Sequence, residues 1–278
     1  MTEKTLRVVS ANLGCASPSP GQGGRRAHAG RLAEELHARR PDLLFIQEIP
    51  DTAWLDDWHA RGYEHSGIAE PPYQAKSAVI WREDLGAQPL GIPTAAYHRS
   101  YLAGAEVDLG FGKVALLSVH ASPNVVEERY LRMWDACGVS RPTARLGGGR
   151  ENGRLFDADL VLETVGFVAR ELPVLAVGDL NECRQWDRDH GESWGELYFA
   201  RASELSLDAV LHEQWGSEHP TFFGVGRTPY QLDHVLASAT VAPRVRALDP
   251  PSVPDPRDVQ AGAVSDHAPV WFEILVKP

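Results

Sequence analysis

Asp179 and Asn181 stand at the end of a short apolar run, Val-Leu-Ala-Val at 174–177, which Gly178 interrupts. Side chains alternate along an extended chain, so residues i and i+2 share a face; one offers a carboxylate, the other an amide that donates and accepts. That pairing suits a phosphate or a metal ion, although Gly-Asp and Asn are also ordinary turn residues. The arrangement recurs along the chain. Asn12 follows the run 6–11, Glu48 follows Leu-Leu-Phe-Ile-Gln at 43–47, and His120 follows 114–119; Asp233 and the pair Asp266-His267 come later. Each has a plainer reading alone, Glu48 as the wet end of a strand and His120 as a structural histidine. A carboxylate close behind a fully apolar run is costly without a partner, however, and polar groups gathered at strand ends on a rigid scaffold are a general way to build a site. The set is rich in oxygen donors and lacks sulfur. Hard ligands of this kind favour Mg²⁺ or Mn²⁺ over zinc, and a divalent ion held by few carboxylates is suited to binding a phosphate.

The elements that must position these groups follow from periodicity. Short apolar runs predict strands at 6–11, 43–46, 78–81, 114–119, 174–177, 231–237 and 271–276, those at 43–46 and 174–177 buried on both faces. Ala29, Leu32, Ala33 and Leu36 fall at helical spacing, with Arg31, Glu34, Glu35 and Arg39 on the wet face and Pro41 as the stop. A short amphipathic helix is expected at 54–58 and a longer one over 155–172, stopped by Pro173. The Pro/Gly/Ser-rich segment 17–24 reads as a loop, as do 89–93, 221–226 and 243–256. Residues 185–195, charged and with a histidine, read as a surface turn or lid. The Arg- and Gly-bearing stretch 141–153 reads as a mobile loop, either a solvated insertion or a flap over substrate, and the long segment between His120 and the central strand, with Trp134 within it, as one that shapes the substrate pocket. Asp233 and His234 are consecutive and must face opposite ways; His234 is expected to be structural or solvent-facing. No repeat and no linker composition interrupts the chain, so residues 1–278 read as one domain.

Composition narrows the function classes. The formal net charge is −11, which opposes a long duplex substrate, since duplex binding draws on many Lys and Arg contacts to phosphate. The arginines at 25–26, 39–40 and 141–154 are the local exceptions. No run approaches a membrane span and the N-terminus lacks signal-peptide architecture, so a cytoplasmic protein is expected. Three cysteines, Cys15, Cys137 and Cys183, without paired spacing argue against a disulfide framework and a zinc site. Cys183 reads as a buried neutral thiol near the cleft.

Taken together, Ala-Asn-Leu (11–13), Ile-Gln-Glu (46–48), Ser-Val-His (118–120), Gly-Asp-Leu-Asn (178–181), Leu-Asp-His-Val (232–235) and Ser-Asp-His (265–267) resemble, in order and over nearly the whole chain, the motifs of the endonuclease/exonuclease/phosphatase superfamily. This is the fold of deoxyribonuclease I and abasic-site endonucleases. The resemblance implies an α+β, four-layer α/β/β/α sandwich of two packed, mainly antiparallel sheets. It implies Glu48 as the main metal carboxylate, aided by Asn12 and Asp266, for Mg²⁺ or Mn²⁺. It implies Asp179 as the residue that orients or deprotonates the attacking water, Asn181 as a phosphate ligand, and His267 as the catalytic histidine, held by Asp233. His120 is implied to stabilise transition-state charge. Where some members place a carboxylate to pair with that histidine, this chain has Gln74 and Lys76, and basic duplex-gripping loops are not obvious. Three functions stay open: a phosphodiesterase on nucleic acid, DNA or RNA, or on a small nucleotide or lipid headgroup; a phosphomonoesterase on a sugar or inositol phosphate; and a non-catalytic binding module. No obligate protein partner is expected.

Overall fold

Alternation along the central strands dictates the layering. In β1 (Lys4–Asn12) Leu6 and Val8 face one way and Val9 and Ala11 the other; in β2 (Leu43–Gln47) Leu43 and Phe45 oppose Leu44 and Ile46. Strand β8 (Val174–Asp179) divides likewise, Leu175 and Val177 against Val174 and Ala176. Strands apolar on both faces must be covered on both, and three cores result. The computed structural model describes residues 4–15, 22–67, 76–94, 101–149, 152–260 and 264–276.

Two six-stranded sheets pack face to face through the first core. One has the order β11-β12-β1-β2-β4-β3, with β3 (Tyr63–Gly67), β4 (Ser77–Arg82), β11 (Val245–Ala247) and β12 (Val270–Val276). The other runs β5-β6-β7-β8-β10-β9, with β5 (Gln88–Pro89), β6 (Leu102–Asp108), β7 (Lys113–His120), β9 (Leu207–Ala209) and β10 (Asp233–Ser238). Helices α1 (Gln22–Ala38) and α2 (Thr52–His59) cover the outer face of the first sheet, where Ala29, Leu32, Ala33 and Leu36 are buried as the periodicity predicts. Helices α4 (Asp157–Ala169) and α6 (Trp194–Glu204) cover the second sheet. The expected α/β/β/α sandwich is the observed one. Pairing is antiparallel except for one parallel pair near the middle of each sheet, β1 with β2 and β7 with β8.

Several local expectations are corrected. Gln22, Gly23 and Gly24 belong to α1, so the predicted loop ends too late; its residues 17–21 lie outside the described residues. The predicted lid at 185–195 is helical: α5 (Arg184–His190) ends at Gly191 in the left-handed region, and α6 begins at Trp194. Its charge density misleads because one carboxylate serves the backbone. Asp187 is buried and accepts from Gly195 N at 3.2 Å and Glu196 N at 2.8 Å, capping α6. The proline-rich stretch 243–256 contains β11, preceded by a 3₁₀ turn at Ala242–Arg244, because prolines at its two ends leave a short segment free to pair with β12. Within the segment between His120 and β8, Trp134 on α3 (Glu128–Asp135) is fully buried in a small core with Val126, Leu131, Val139 and Leu160, while Arg145 and Phe156 line a cavity.

Gly178 does more than end an apolar run. Its φ is +143°, and a Cβ there would overlap the Val119 carbonyl oxygen and lie 2.6 Å from Gln47 Nε2. Only glycine lets β7, β8 and the Gln47 side chain converge here. Gly178→Ala is expected to cost about 3 kcal/mol or more, from strained φ and overpacking together, measured as a lowered urea midpoint.

Candidate active site

The register of the second sheet sets three of the predicted residues in a row. His120 on β7 pairs with Asp179 on β8, and Asp179 pairs with Asp233 on β10. Side chains of paired residues on adjacent strands project to the same side of the sheet. From the first sheet, Asn12 at the end of β1 pairs with Gln47, and Glu48 follows at φ +54°. The left-handed turn at Glu48 takes the chain out of the sheet at the first residue past β2. Asn12 is the bridge between sheets: its Nδ2 donates to Glu48 Oε1 at 3.2 Å and to Asp179 Oδ2 at 3.1 Å, while its Oδ1 accepts from Gly14 N at 3.0 Å.

Two residues missed in the sequence hold this edge. Gln47 Nε2 donates to Ser118 Oγ at 3.0 Å, and Ser118 Oγ donates to the Ile46 carbonyl at 2.9 Å, so the sheets are clasped one residue before Glu48 and two before His120. Gln47 and Ser118 both stand in the motifs Ile-Gln-Glu and Ser-Val-His, yet nothing in the sequence shows that they meet. Thr221, likewise unforeseen and fully buried, accepts on Oγ1 from Leu232 N at 3.1 Å and Asp233 N at 3.0 Å, fixing the start of β10.

Asp179 is 2 % exposed. Burial pushes its carboxyl up to about 6 against the opposing pull of His267 and His120. Asn181 N donates to its Oδ1 at 2.9 Å, and Asn181 Nδ2 donates to the Ala121 carbonyl at 2.7 Å; Asn181 itself sits at φ +52°. His120 Nε2 lies 3.5 Å from Glu48 Oε1 and 3.7 Å from Asp179 Oδ2. Its Nδ1 is buried without a hydrogen-bond partner among the described residues; Gln74 lies outside them, and Lys76 Nζ donates to the Pro50 carbonyl at 3.0 Å.

His267 arrives on the loop before β12. Ser265 Oγ donates to the Asn12 carbonyl at 2.8 Å and accepts from His267 N at 3.1 Å, tying this loop to β1. Asp233 Oδ2 accepts from His267 Nδ1 at 2.8 Å, and His267 Nε2 lies 3.7 Å from Asp179 Oδ2. Burial alone would lower the imidazole, but Asp233, Asp179 and Asp266 outweigh it and raise it to about 10. The ring is therefore an imidazolium at neutral pH, with Nδ1–H on Asp233 and Nε2–H facing Asp179.

Asp266 is half-buried beside the Asn12–Gly14 turn, 3.4 Å from where a Gly14 Cβ would stand. Its carboxylate is not in the tight group of Glu48, His120 and Asp179, whose donor atoms all lie within 4.8 Å of one another. His234 is structural, not solvent-facing. Its Nε2–H donates to the Glu182 carbonyl at 2.8 Å, and its Nδ1 accepts from Gln231 Nε2 at 3.3 Å. Cys183 is buried and burial pushes its thiol up to about 12, so it is neutral; its Sγ accepts from Trp186 N at the start of α5.

A four-layer sandwich whose sheets bring carboxylates, amides and two histidines to one edge defines the deoxyribonuclease I-like class of hydrolases that act on phosphate esters. The chain matches the Endonuclease/Exonuclease/phosphatase family over residues 9–267 and belongs to it. Among solved structures it is similar to the endonuclease domain of TRAS1, a telomere-specific non-LTR retrotransposon, at 18 % identity and TM-score 0.62, covering 99 % of this chain and 100 % of that one. It is similar to the 3′ phosphatase NExo from Neisseria bound to product DNA hairpin, at 15 % identity and TM-score 0.61, covering 97 % and 99 %. An AP endonuclease from Archaeoglobus fulgidus aligns at 14 % identity and TM-score 0.60, covering 96 % and 98 %. At these identities the likeness is one of fold. A comparison with curated proteins finds no match. No helix among the described residues is long and apolar enough to cross a membrane.

Proposed function

We propose that the protein is a divalent-metal-dependent phosphodiesterase that cleaves its substrate by in-line attack of water. The observation that carries this reading is the row His120–Asp179–Asp233 on three adjacent strands, met from the other sheet by Glu48 and Asn12 and completed by His267. The donor set fits Mg²⁺ or Mn²⁺. Two carboxylates and one imidazole converge within 4.8 Å, an amide touches both carboxylates, and no thiolate joins them. Glu48 would hold the ion, with Asn12 orienting that carboxylate and Asp266 adding negative charge from beside the Asn12–Gly14 turn. A bound ion supplies charge neutralisation at the phosphoryl oxygens.

The side chains carry the proton and the charge. Asp179, its oxygens fixed by Asn12 and the Asn181 amide, orients the water and takes its proton; its raised pKa makes it a stronger base than an ordinary carboxylate. Asn181 holds a phosphoryl oxygen. The His267 imidazolium, kept in its tautomer and charge state by Asp233, faces the charge that builds on the pentavalent phosphorus, and His120 does so from the β7 side. Phosphate monoesters form the second reading, favoured by the net charge of −11, which disfavours long polyanions.

Hydrolysis of bis(p-nitrophenyl) phosphate is expected with Mg²⁺ or Mn²⁺, abolished by EDTA and restored by re-addition. Release of phosphate from monoesters with no diester cleavage favours the second reading. Inactivity on both ester classes, or turnover indifferent to EDTA, rejects the proposal.

A further inference from the structure

A cavity of about 680 Å³ adjoins the polar cluster, a volume ordinary for a small-molecule site. Asn181 and Phe222 line it, and the Phe222 ring lies 5.1 Å from the His267 imidazole, so the cavity opens on the place where the ester is cleaved. Its walls are aromatic, with Trp186, Trp194 and Tyr230 beside Phe222. Trp186 stacks flat on His190, ring centroids 3.9 Å apart and planes 16° apart, yet is 42 % exposed. Tyr230 stands at 5.6 Å from the indole, and its hydroxyl donates to Asp189 Oδ2 at 3.2 Å. A partly exposed indole that lines the cavity and is backed by an imidazole offers a stacking surface to a second planar ring.

The charged residues of the lining do not form a track for phosphates. Arg145 is buried against Asp159 at 2.7 Å and against Glu182, and it donates to the Trp194 carbonyl at 2.6 Å; its charge is spent inside the protein. Glu192 accepts from Trp186 Nε1 at 3.3 Å. Only Arg227 remains among the lining guanidiniums, where a duplex-gripping surface uses many cations. The part of the stretch 141–153 that delivers Arg145 is laid on this wall: a Cβ on Gly147 would lie 2.5 Å from the Trp194 ring. Residues 145–147 of the expected flap therefore contribute to the wall of the cavity.

We infer that this cavity binds an uncharged planar ring carried by the phosphate ester, of nucleobase or aryl type, so that the protein acts on a small ring-bearing ester and not on duplex nucleic acid. The inference rests on the phosphoesterase reading of the adjoining site. Stacking on an aromatic side chain is worth about 1–3 kcal/mol per base, or roughly 5- to 150-fold in affinity.

Calorimetric titration of the full chain in EDTA with AMP, phenyl phosphate and ribose 5-phosphate tests it free of turnover. AMP is expected to bind about 10-fold tighter than ribose 5-phosphate. Trp186→Ala is expected to remove most of that difference and Trp186→Phe to retain it. Phenyl phosphate matching AMP makes the ring any aryl group; AMP exceeding it makes the ring a nucleobase. Equal binding of AMP and ribose 5-phosphate, unaltered discrimination in Trp186→Ala, or plasmid DNA cleaved with higher kcat/KM than a dinucleotide overturns the inference. Ring discrimination without hydrolysis of any ester rejects only the phosphoesterase reading. Hydrolysis of bis(p-nitrophenyl) phosphate without ring discrimination rejects only the cavity assignment.

Discussion

Asp179→Asn is expected to lower kcat by about 10²–10⁴, the range for loss of a positioned general base, without lowering the thermal midpoint. The amide keeps the shape of the carboxylate and one acceptor oxygen, so the Asn181 backbone bond at 2.9 Å can persist. What is lost is basicity, together with the second acceptor oxygen, which accepts from Asn12 Nδ2 at 3.1 Å. Asp179 is 2 % exposed and burial works against its ionised form, so the neutral side chain also relieves desolvation. A variant that is at least as stable as the native protein and nearly inert is the signature of a buried group held for chemistry. Steady-state hydrolysis of bis(p-nitrophenyl) phosphate, paired with a melting curve, reads both. A variant within 3-fold of native activity, a ratio too small for loss of a general base, would remove Asp179 from the proton-transfer step.

Asp233→Asn is expected to act differently, lowering both activity and stability. Asp233 Oδ2 and His267 Nδ1 are 2.8 Å apart and both residues are buried. Burial opposes the charge on each, yet their attraction keeps the imidazole raised to about 10 and holds the Asp233 carboxyl below its ordinary value. Removing one charge leaves the other without its partner, which typically costs about 3–5 kcal/mol for a buried pair. Some of that is relieved here by Asp179, on the other side of the ring. The rate is expected to fall about 10²-fold or more, since both the tautomer and the charge of His267 are lost. The double variant Asp233→Asn/His267→Ala is expected to be less destabilised than the sum of the singles, the mark of residues in direct contact. NMR of the His267 imidazole in the single variant is expected to show its titration moved down from about 10. Strict additivity would mean that the pair contributes no coupling in solution.

Much of the site was legible in the sequence because its residues sit at predictable places, the ends of apolar runs. Strand ends are visible from hydrophobicity, and a carboxylate or histidine there stands out against its neighbours. Asn12, Glu48, His120 and Asp179 betray themselves this way, whereas Asp233 lies inside the predicted strand 231–237 and is marked only by the family resemblance. What could not be read is how the runs come together. The order of strands in each sheet depends on long-range pairing, such as Lys4 with Val276, which no local pattern encodes. The clasp between Gln47 and Ser118 was invisible for the same reason: both stand in the family motifs, but their contact needs the two sheets to meet. The helical stretch 184–190 was hidden because its most informative residue, Asp187, caps a helix that lies after it. The buried Arg145 was missed because guanidiniums are rarely interior unless paired, and its partners Asp159 and Glu182 are 14 and 37 residues away.

The single parallel pair in each sheet has a practical consequence. Parallel strands finish at the same edge, so β1 with β2 and β7 with β8 deliver all their terminal polar groups to one rim, and antiparallel β10 begins there. None of the candidate site residues lies at the reverse rim. The tight bend at 110–112 that joins β6 to β7 belongs to it, about 26 Å from His120 at the ~3.3 Å rise of a strand. A tether, dye or immobilising tag placed on that bend would hold the molecule by its idle side, leaving the working edge facing open solution.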